Sequence, residues 1–335
     1  MQPTDKPAHF TTLTDLASER VGGKAILAND EFFAPKENLL KPGRGAFAAD
    51  KYTDRGKWMD GWETRRKRGA GHDWCIIRLG IPGIIRGVDI DTNHFLGNHP
   101  PFASIEACAA SPAALRSAHW TEIFPKSPLS PGSQNLFPIP PIPDARRWTH
   151  VRLNIFPDGG VARLRIFGEA DPDWKTLRRK LLVDLAAVES GGRIEATSDR
   201  FFGSPENLLM PGRALTMGDG WETKRRRGPG YDWAIVRLGH AGTIAKIEVD
   251  TNHFKGNYPD TCSIDACYAP EGFIDPANIE AVTWNELLKP AKLRAHKRHL
   301  FATQLKKLGS VTHVRLNIFP DGGISRLRVW GKISA

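Results

Sequence analysis

"THVRLNIFPDGG", residues 149–160, decides the fold, because the same twelve letters recur unchanged at 312–323. Apolar and polar residues alternate through "HVRLNIF", a pattern typical of a β-strand with one buried face. A second alternating run, "VARLRIF", follows directly. The letters "PDGG" between the two runs favour a tight turn. The stretch therefore predicts a β-hairpin that occurs twice in the chain.

The rest of the chain is also duplicated. Three further blocks recur in the same order: "ENLLKPGR" (37–44) as "ENLLMPGR" (206–213), "DGWETRRKRG" (60–69) as "DGWETKRRRG" (219–228), and "DTNHFLGN" (91–98) as "DTNHFKGN" (250–257). Extra residues around "FAADKYTDRGKW" (47–58) occur only in the first copy. Such a repeat predicts two homologous domains, residues 1–172 and 173–335.

Each copy is predicted to be all-β. Short strand patterns such as "WCIIRLG" and "ASIEACAA" are bounded by glycine and proline, and no helical patterns alternate with them. This arrangement favours an antiparallel β-sandwich over a parallel α/β sheet. The segments "TDLASE" and "LLVDLAAVE" predict a short helix at the start of each copy.

Composition and charge narrow the function classes. The 335 residues are 40% hydrophobic, the apolar runs are too short for a membrane span, and the first residues lack the layout of a secretion signal. We therefore expect a cytoplasmic protein without a membrane partner. The four cysteines form no CxxC pair and are predicted to be buried thiols.

The net charge of +10 is concentrated in two clusters, Arg65–Arg68 and Lys224–Arg227. Such short clusters suit a small anion as well as a phosphate backbone, and no nucleic-acid reading module accompanies them. The sequence also lacks a GxSxG elbow, a P-loop and a dinucleotide fingerprint after a strand. We expect a small anionic ligand and no nucleic-acid partner.

The "DTNHF" block follows an apolar run, so its polar side chains are predicted where a strand ends in a loop. Its candidate site residues are Asp91, Asn93 and His94 in the first copy and Asp250, Asn252 and His253 in the second. The alternative is that aspartate and asparagine only cap the turn through their own backbone. No HExxH motif is present, so no metal ligands and no cofactor are predicted, with a divalent metal kept as an alternative.

The "WETRRKRG" block places Glu63 and its repeat Glu222 beside several cations. Nearby positive charge favours an ionised carboxylate, which suits a base or a hydrogen-bond acceptor. Arginine forks bind carboxylates through two hydrogen bonds, whereas a solvated charge run is the alternative for each cation. The arginines of these two blocks that could form such a fork include Arg65, Arg66, Arg225 and Arg226.

The duplicated layout and these paired blocks resemble the allantoicase (allantoate amidinohydrolase) family over nearly the full length. The resemblance implies two tandem jelly-roll, galactose-binding-like β-sandwich domains. It also implies hydrolysis of allantoate to ureidoglycolate and urea in purine degradation. For that reaction the arginines would bind the substrate carboxylate, and Asn93 and Asn252 would bind its ureido groups.

The same resemblance implies that the candidate carboxyl and imidazole groups share the acid and base work: Glu63, Asp91, His94, Glu222, Asp250 and His253. One site shared by the domains and two separate sites both remain open. A tandem sandwich that binds ligands or carbohydrates without catalysis is the alternative function. Homo-oligomerisation is compatible with the edges of such a sandwich.

Overall fold

The structure is a computed structural model that describes residues 9–140, 147–269 and 281–334. Tertiary contacts divide the chain into two compact units between Asp171 and Pro172. The outer ends of the predicted domains, residues 1 and 335, lie outside the described residues. In the described residues the strand pairings of each unit are antiparallel and the helices are short, so the prediction of two tandem homologous β-sandwich domains is confirmed.

Among its described residues, 9–140 and 147–171, the first domain contains twelve strands. They are β1 (Thr14–Asp15), β2 (Lys24–Ala28), β3 (Tyr52–Thr53), β4 (Gly56–Lys57), β5 (Trp62–Glu63), β6 (Asp73–Asp91), β7 (Phe102–Cys108), β8 (Thr121–Pro128), β9 (Leu136–Pro138), β10 (Trp148–Phe156), β11 (Gly160–Val161) and β12 (Arg163–Ala170). Short 3-10 helices span His9–Thr12, Glu19–Val21, Lys36–Leu40 and Pro112–Ser117.

The second domain repeats this order without the two strands of the extra segment. Its strands are β13 (Val183–Asp184), β14 (Arg193–Thr197), β15 (Trp221–Glu222), β16 (Asp232–Asp250), β17 (Thr261–Cys267), β18 (Asn285–Lys292), β19 (Arg298–Phe301), β20 (Val311–Phe319), β21 (Gly323–Ile324) and β22 (Arg326–Ile333). A four-residue α-helix, α1, spans Trp174–Leu177, and 3-10 helices span Val188–Ser190, Pro205–Leu209 and Met217–Asp219.

The long strand β6 organises the first domain. Its first part pairs with β2 and β10, with Ile77 opposite Ala25 and Val151. Its second part pairs with β9 and β12, with Val88 opposite Phe137 and Ile166. One strand therefore belongs to both layers of the sandwich. In the second domain β16 has the same neighbours in the same order: β14 and β20, then β19 and β22.

The repeated stretch that predicted a hairpin is paired differently. β10 pairs with the first part of β6 and with β7, whereas β12 pairs with the second part of β6 and with β1. The two strands share β6 but do not pair with each other. Between them β11 pairs with β5, which carries the "WE" of the basic block. The hairpin prediction is wrong because "PDGG" carries the chain from one layer to the other instead of turning it back.

The predicted opening helix is also wrong. Thr14 and Asp15 form a short strand against β12, and the Asp15 carboxylate accepts from the backbone N–H of Ile166 and Ala17. A 3-10 helix of three residues follows, and Gly22 ends it with a positive φ of 90°. Helical propensity in this segment is overridden by strand pairing and by the early glycine.

The four cysteines are buried and free, which confirms the prediction of buried thiols. Burial raises the pKa of the Cys108 and Cys267 thiols to about 11 and that of Cys262 to about 12. These groups are neutral core side chains.

Candidate functional site

The site begins where β6 ends. Asp91, its last residue, is 1% exposed, and its Oδ1 accepts from the backbone N–H of Asn93 at 2.9 Å. The chain then turns sharply, and His94 takes a left-handed backbone conformation with φ 68°. The predicted position at a strand end is confirmed. The turn-capping alternative also describes Asp91 correctly, since its side chain closes the turn.

The turn binds a second loop through two side chains. Asn93 Nδ2 donates to the carbonyl of Gly45 at 2.9 Å, and His94 Nε2 lies 3.1 Å from the same oxygen. A carbonyl can only accept, so Nε2 of His94 carries the proton in this contact. The other ring nitrogen, Nδ1, is then the one that can accept a proton.

An ion pair ties the same loop to the strand end. Arg44 donates from Nε to Asp91 Oδ2 and from its terminal nitrogen to Oδ1, both at 2.9 Å. Asp91 raises the pKa of the Arg44 guanidinium. Arg165 of β12 donates to the carbonyls of Lys41 and Gly43 in the preceding residues of the loop. The loop of residues 41–45 is thus held to the end of β6 by Arg44 and to β12 by Arg165.

Glu63 lies on the short strand β5. Its backbone N–H donates to Ala34 at 3.1 Å, and its carboxylate Oε1 accepts from Asn98 Nδ2 at 2.6 Å. Burial raises the pKa of Glu63, and the hydrogen bond from Asn98 lowers it by a smaller amount. The prediction that neighbouring cations dominate this carboxylate is wrong, because burial has the larger effect.

Two cations of the basic run that follows Glu63 form ion pairs with aspartates outside this run. Arg65 pairs with Asp30 at 2.7 Å and lies 5.2 Å from the ring of Phe32. Lys67 pairs with Asp73 at 2.8 Å. Arg66 and Arg68 are exposed. Of the two arginines singled out in this copy, the structure places Arg65 in a surface ion pair and leaves Arg66 in solvent.

Glu63 and His94 line one pocket of about 340 Å³. Residues of the extra segment, called here the 47–58 loop, form one of its walls. Its lining residues are Phe33, Phe47, Gly56, Lys57, Met59, Glu63, His94, Leu96, Gly97 and Asn98. The sequence-predicted residues that the structure brings to this pocket are therefore Glu63 and His94.

Close packing explains why the repeated blocks keep small residues. Phe95 is fully buried behind the turn, in a cluster with Met59 and Ala162. A Cβ at Gly160 would lie 2.0 Å from the Phe95 ring, and one at Gly61 would lie 2.7 Å from it. The "DGW", "DTNHF" and "PDGG" blocks thus meet around one phenylalanine, and a side chain at either glycine would displace the site.

The second domain repeats these contacts. Asn252 Nδ2 donates to the carbonyl of Ala214 at 3.0 Å, and His253 Nε2 lies 2.9 Å from the same oxygen, with φ 70° at His253. Arg213 Nε pairs with Asp250 Oδ2 at 3.2 Å. Asn257 Nδ2 donates to Glu222 Oε1 at 2.5 Å.

The basic run of the second domain is arranged like the first. Arg226 pairs with Asp232, and Lys224 lies 4.2 Å from the ring of Phe201. Arg225, the equivalent of Arg66, is exposed. The structure therefore places Arg226 in an ion pair with Asp232, the first residue of β16.

Sequence reasoning missed two pairs of residues. Asn98 and Asn257 hold the candidate glutamates, and Arg44 and Arg213 pair with the buried aspartates. The signal was available, because all four lie in blocks that the two copies share. They could have been found by treating every shared polar residue as a candidate.

Within the described ranges, no group of three or more His, Cys, Asp or Glu side chains is placed to hold a metal ion. Among the helices of the same residues, none is both long and apolar enough to cross a membrane.

Comparison with known proteins shows which family shares this arrangement. A family model described as the allantoicase repeat matches residues 14–171 and again 183–334. A probable allantoicase from Burkholderia mallei is 52% identical over 328 residues, covering 98% of this chain and 96% of the relative. A probable allantoicase from Pseudomonas aeruginosa is 52% identical over 97% of this chain and 98% of its own length.

A solved structure supports the same relationship. The crystal structure of allantoicase from Saccharomyces cerevisiae aligns with a TM-score of 0.78 and 38% identity, covering 95% of this chain and 92% of that one. A second allantoicase structure aligns with a TM-score of 0.79, also at 38% identity, over 96% and 93% of the two chains.

Proposed function

Since the chain belongs to the allantoicase family and is a hydrolase of allantoate, we propose that Glu63 and His94 carry out the proton transfers in the first-domain pocket. The observation that carries the proposal is that one pocket is lined by both side chains. Glu222 and His253 are the corresponding pair in the second domain. A second function has no observation in its favour.

The reaction needs two proton transfers. Allantoate carries one carboxylate and two ureido groups on a single carbon. Water forms a C–O bond at that carbon, the C–N bond to one ureido group breaks, and the departing nitrogen takes a proton to give urea. The remaining fragment is ureidoglycolate. A group that deprotonates water and a group that protonates the leaving nitrogen are therefore required.

Glu63 suits the acid role. Its raised pKa increases the protonated fraction near neutral pH, and Asn98 engages only Oε1, so that Oε2 can carry the proton. His94 suits the base role, because its Nε2–H is directed at the Gly45 carbonyl and Nδ1 is left to accept a proton. Each transfer of this kind contributes typically about 10²–10⁴-fold to the rate.

The remaining predicted residues take supporting roles in this proposal. Asp91 and Asn93 hold the turn against the loop, as Asp250 and Asn252 do in the second domain, and so they position the histidines. Arg66 and Arg225, which are exposed, are proposed to meet the anionic substrate as it approaches.

The test is urea release from allantoate by the E63Q/E222Q double variant. Glutamine keeps the shape of the side chain but cannot donate an acidic proton, so we expect kcat to fall by about 10²–10⁴-fold with an unchanged melting temperature. Ureidoglycolate should appear with urea in equal amounts in the parent enzyme.

E169Q is the matched control. Glu169 lies on β12 in an ion pair with Arg86, half-exposed and outside the pocket. Its replacement should leave turnover unchanged. Full turnover in the folded E63Q/E222Q variant would remove the two glutamates from the mechanism.

A cytoplasmic location and a homo-oligomeric state are further proposals. Four buried free thiols suit a reducing compartment. Cell fractionation tests the first proposal, and light scattering during size-exclusion chromatography tests the second.

A further inference from the structure

The first-domain pocket contains a cation that sequence reasoning did not single out. Within the part of the chain that the structure describes, Lys57 is the one lysine or arginine that lines this pocket. Much of the remaining wall is apolar, from Phe33, Phe47, Met59 and Leu96. A carboxylate entering such a pocket loses water, so its binding requires an opposite charge close by.

Two other cations of the first domain already have partners. Arg44 is paired with Asp91, and Arg65 is paired with Asp30. Lys57 instead lies 4.6 Å from the ring of Phe47, a contact that leaves its ammonium protons available to an anion. Phe47 in turn stacks on His94, with 5.3 Å between the ring centroids. The 47–58 loop therefore contributes Lys57 to the pocket wall and packs its Phe47 against His94, the candidate base.

The second domain has no equivalent of this wall in its sequence. Five residues, 214–218, replace the fifteen residues 45–59 between the "PGR" and "DGW" blocks. Leu215 and Met217 of this shorter connection are 84% and 46% exposed. Phe201 and Phe202, which correspond to Phe32 and Phe33, are 59% and 62% exposed. The second-domain surface is thus open where the first domain is covered.

We propose that Lys57 binds the carboxylate of the substrate and that strong substrate binding is a property of the first domain. This inference rests on the proposed role of the pocket in the established reaction. The substrate carboxylate accepts from the Lys57 ammonium, which places the central carbon between Glu63 and His94. The 47–58 loop is then the segment that makes the two duplicated sites unequal.

The experiment measures KM and kcat for urea release with K57Q and K57R, in the parent and in an E222Q background that removes the second-domain acid. Loss of a hydrogen bond between charged groups is expected to raise KM by about tenfold to a hundredfold, with kcat nearly unchanged. K57R should recover part of the affinity, because it restores the charge. Should K57Q lower the melting temperature, K57M provides the same loss of charge with an apolar stem.

K51Q is the matched control. Lys51 lies in the same loop, but its ammonium is 3.9 Å from the ring of Trp58 and it does not line the pocket. Its replacement should leave KM unchanged. As a second probe, the carboxamide analogue of allantoate should inhibit the parent and K57Q with equal Ki, since it has no charge for Lys57 to bind.

The outcomes separate this inference from the proposed function. An unchanged KM in K57Q, with turnover lost in E63Q/E222Q, overturns the role of Lys57 and leaves the pocket as the reaction site. Turnover that survives in E63Q/E222Q overturns the proposed site itself. A weaker carboxamide in K57Q would show that the lysine acts through packing instead of charge, which also contradicts the inference.

Discussion

The two domains share a turn and differ in what surrounds it. In both, a threonine after the strand end holds a neighbouring loop: Thr92 donates to the carbonyl of Ser130 at 2.7 Å, and Thr251 to that of Arg294 at 2.6 Å. Both loops contain a left-handed residue, Gly132 with φ 60° and His296 with φ 50°. The backbone of the site has therefore been kept while its side chains have changed.

Most of the changes around the second turn introduce a basic residue. "SPGS" (130–133) becomes "RAHK" (294–297), and Leu96 becomes Lys255. Nδ1 of His296 accepts from the backbone N–H of His253 at 2.8 Å, a contact that the glycine of the first domain cannot make. The first domain instead adds an apolar wall with one lysine. The two copies thus share the backbone of the turn, but the first domain has an enclosed pocket and the second domain has an open, basic surface.

The largest expected effect is the loss of kcat in E63Q, which separates the activity of the first domain from that of the second. E63Q should lower kcat in the first domain by about 10²–10⁴-fold, so any remaining urea release comes from the second domain. That residual activity should have a raised KM, because the second domain lacks the 47–58 loop. E222Q should keep the KM of the parent enzyme. Steady-state urea release over a wide range of allantoate concentration measures both values.

Two other outcomes of this experiment would contradict the proposed difference between the domains. Equal losses of about half the activity in each single variant, at one KM, would mean two equivalent sites. Complete loss in both single variants would mean that the two glutamates serve a single site.

A second difference concerns Asp89, a buried acid two residues before Asp91 on β6. Asp89 is 2% exposed and is bonded by neutral groups, Gln134 Nε2 at 2.8 Å and the Asn135 N–H at 3.2 Å. Burial raises its pKa to about 6. Its counterpart Glu248 pairs instead with Arg298, at 2.9 Å and 2.5 Å.

This difference predicts a pH effect on stability. The folded state binds the Asp89 proton more tightly than the unfolded state, so its contribution is fully present below about pH 4 and is lost as the pH rises to about 6. Two pH units correspond to about 3 kcal/mol in the free energy of unfolding. The D89E/Q134R variant copies the second-domain pair and should abolish this fall.

Urea denaturation between pH 4 and pH 7 measures the effect as the difference between variant and parent. Q134L is the control, since it removes the hydrogen bond without adding charge and should keep the fall. A parent and a D89E/Q134R variant with parallel pH profiles would show that Asp89 does not retain its proton.

The smallest expected effect concerns the ion pairs that hold the loops. R44A removes two contacts of 2.9 Å from the buried Asp91, and R213A removes one contact of 3.2 Å from Asp250. Both arginine side chains are about half-exposed, so water replaces part of the interaction. We expect losses of about 2 kcal/mol for R44A and about 1 kcal/mol for R213A in the free energy of unfolding.

Equilibrium unfolding of the two variants checks this order. R44K should be intermediate, because lysine keeps the charge but not the fork. A larger loss in R213A than in R44A would contradict the ranking by contact geometry.

Much of this molecule could be predicted from its repeats. The all-β class follows from alternating strands, and the position of "DTNHF" at a strand end follows from the apolar run before it. The pairing of β10 and β12 could not be predicted, because local turn chemistry does not reveal that both strands prefer the distant β6. Sequence distance hides such long-range partners.

The site was predictable in part for a similar reason. Glu63 and His94 stand in shared polar blocks and do reach one pocket. The arginine clamp was less predictable, since the partners of Arg65 and Arg226 lie at Asp30 and Asp232, outside the block itself. Lys57 escaped notice because it occurs in one copy only, where comparison between copies gives no signal.

Strand β6 also has a consequence for how the first domain comes apart. Its nineteen residues, Asp73–Asp91, run through both layers and end at the site. Neither layer can lose its hydrogen bonds to β6 without weakening the other, so amide exchange in β10 and β12 should proceed through the same opening event. The 47–58 loop stands outside this unit, held by its own short β3–β4 pairing and by Arg55, which donates to the Phe32 carbonyl at 2.8 Å. We therefore expect slow amide exchange in the strands that pair with β6 and fast amide exchange in the 47–58 loop.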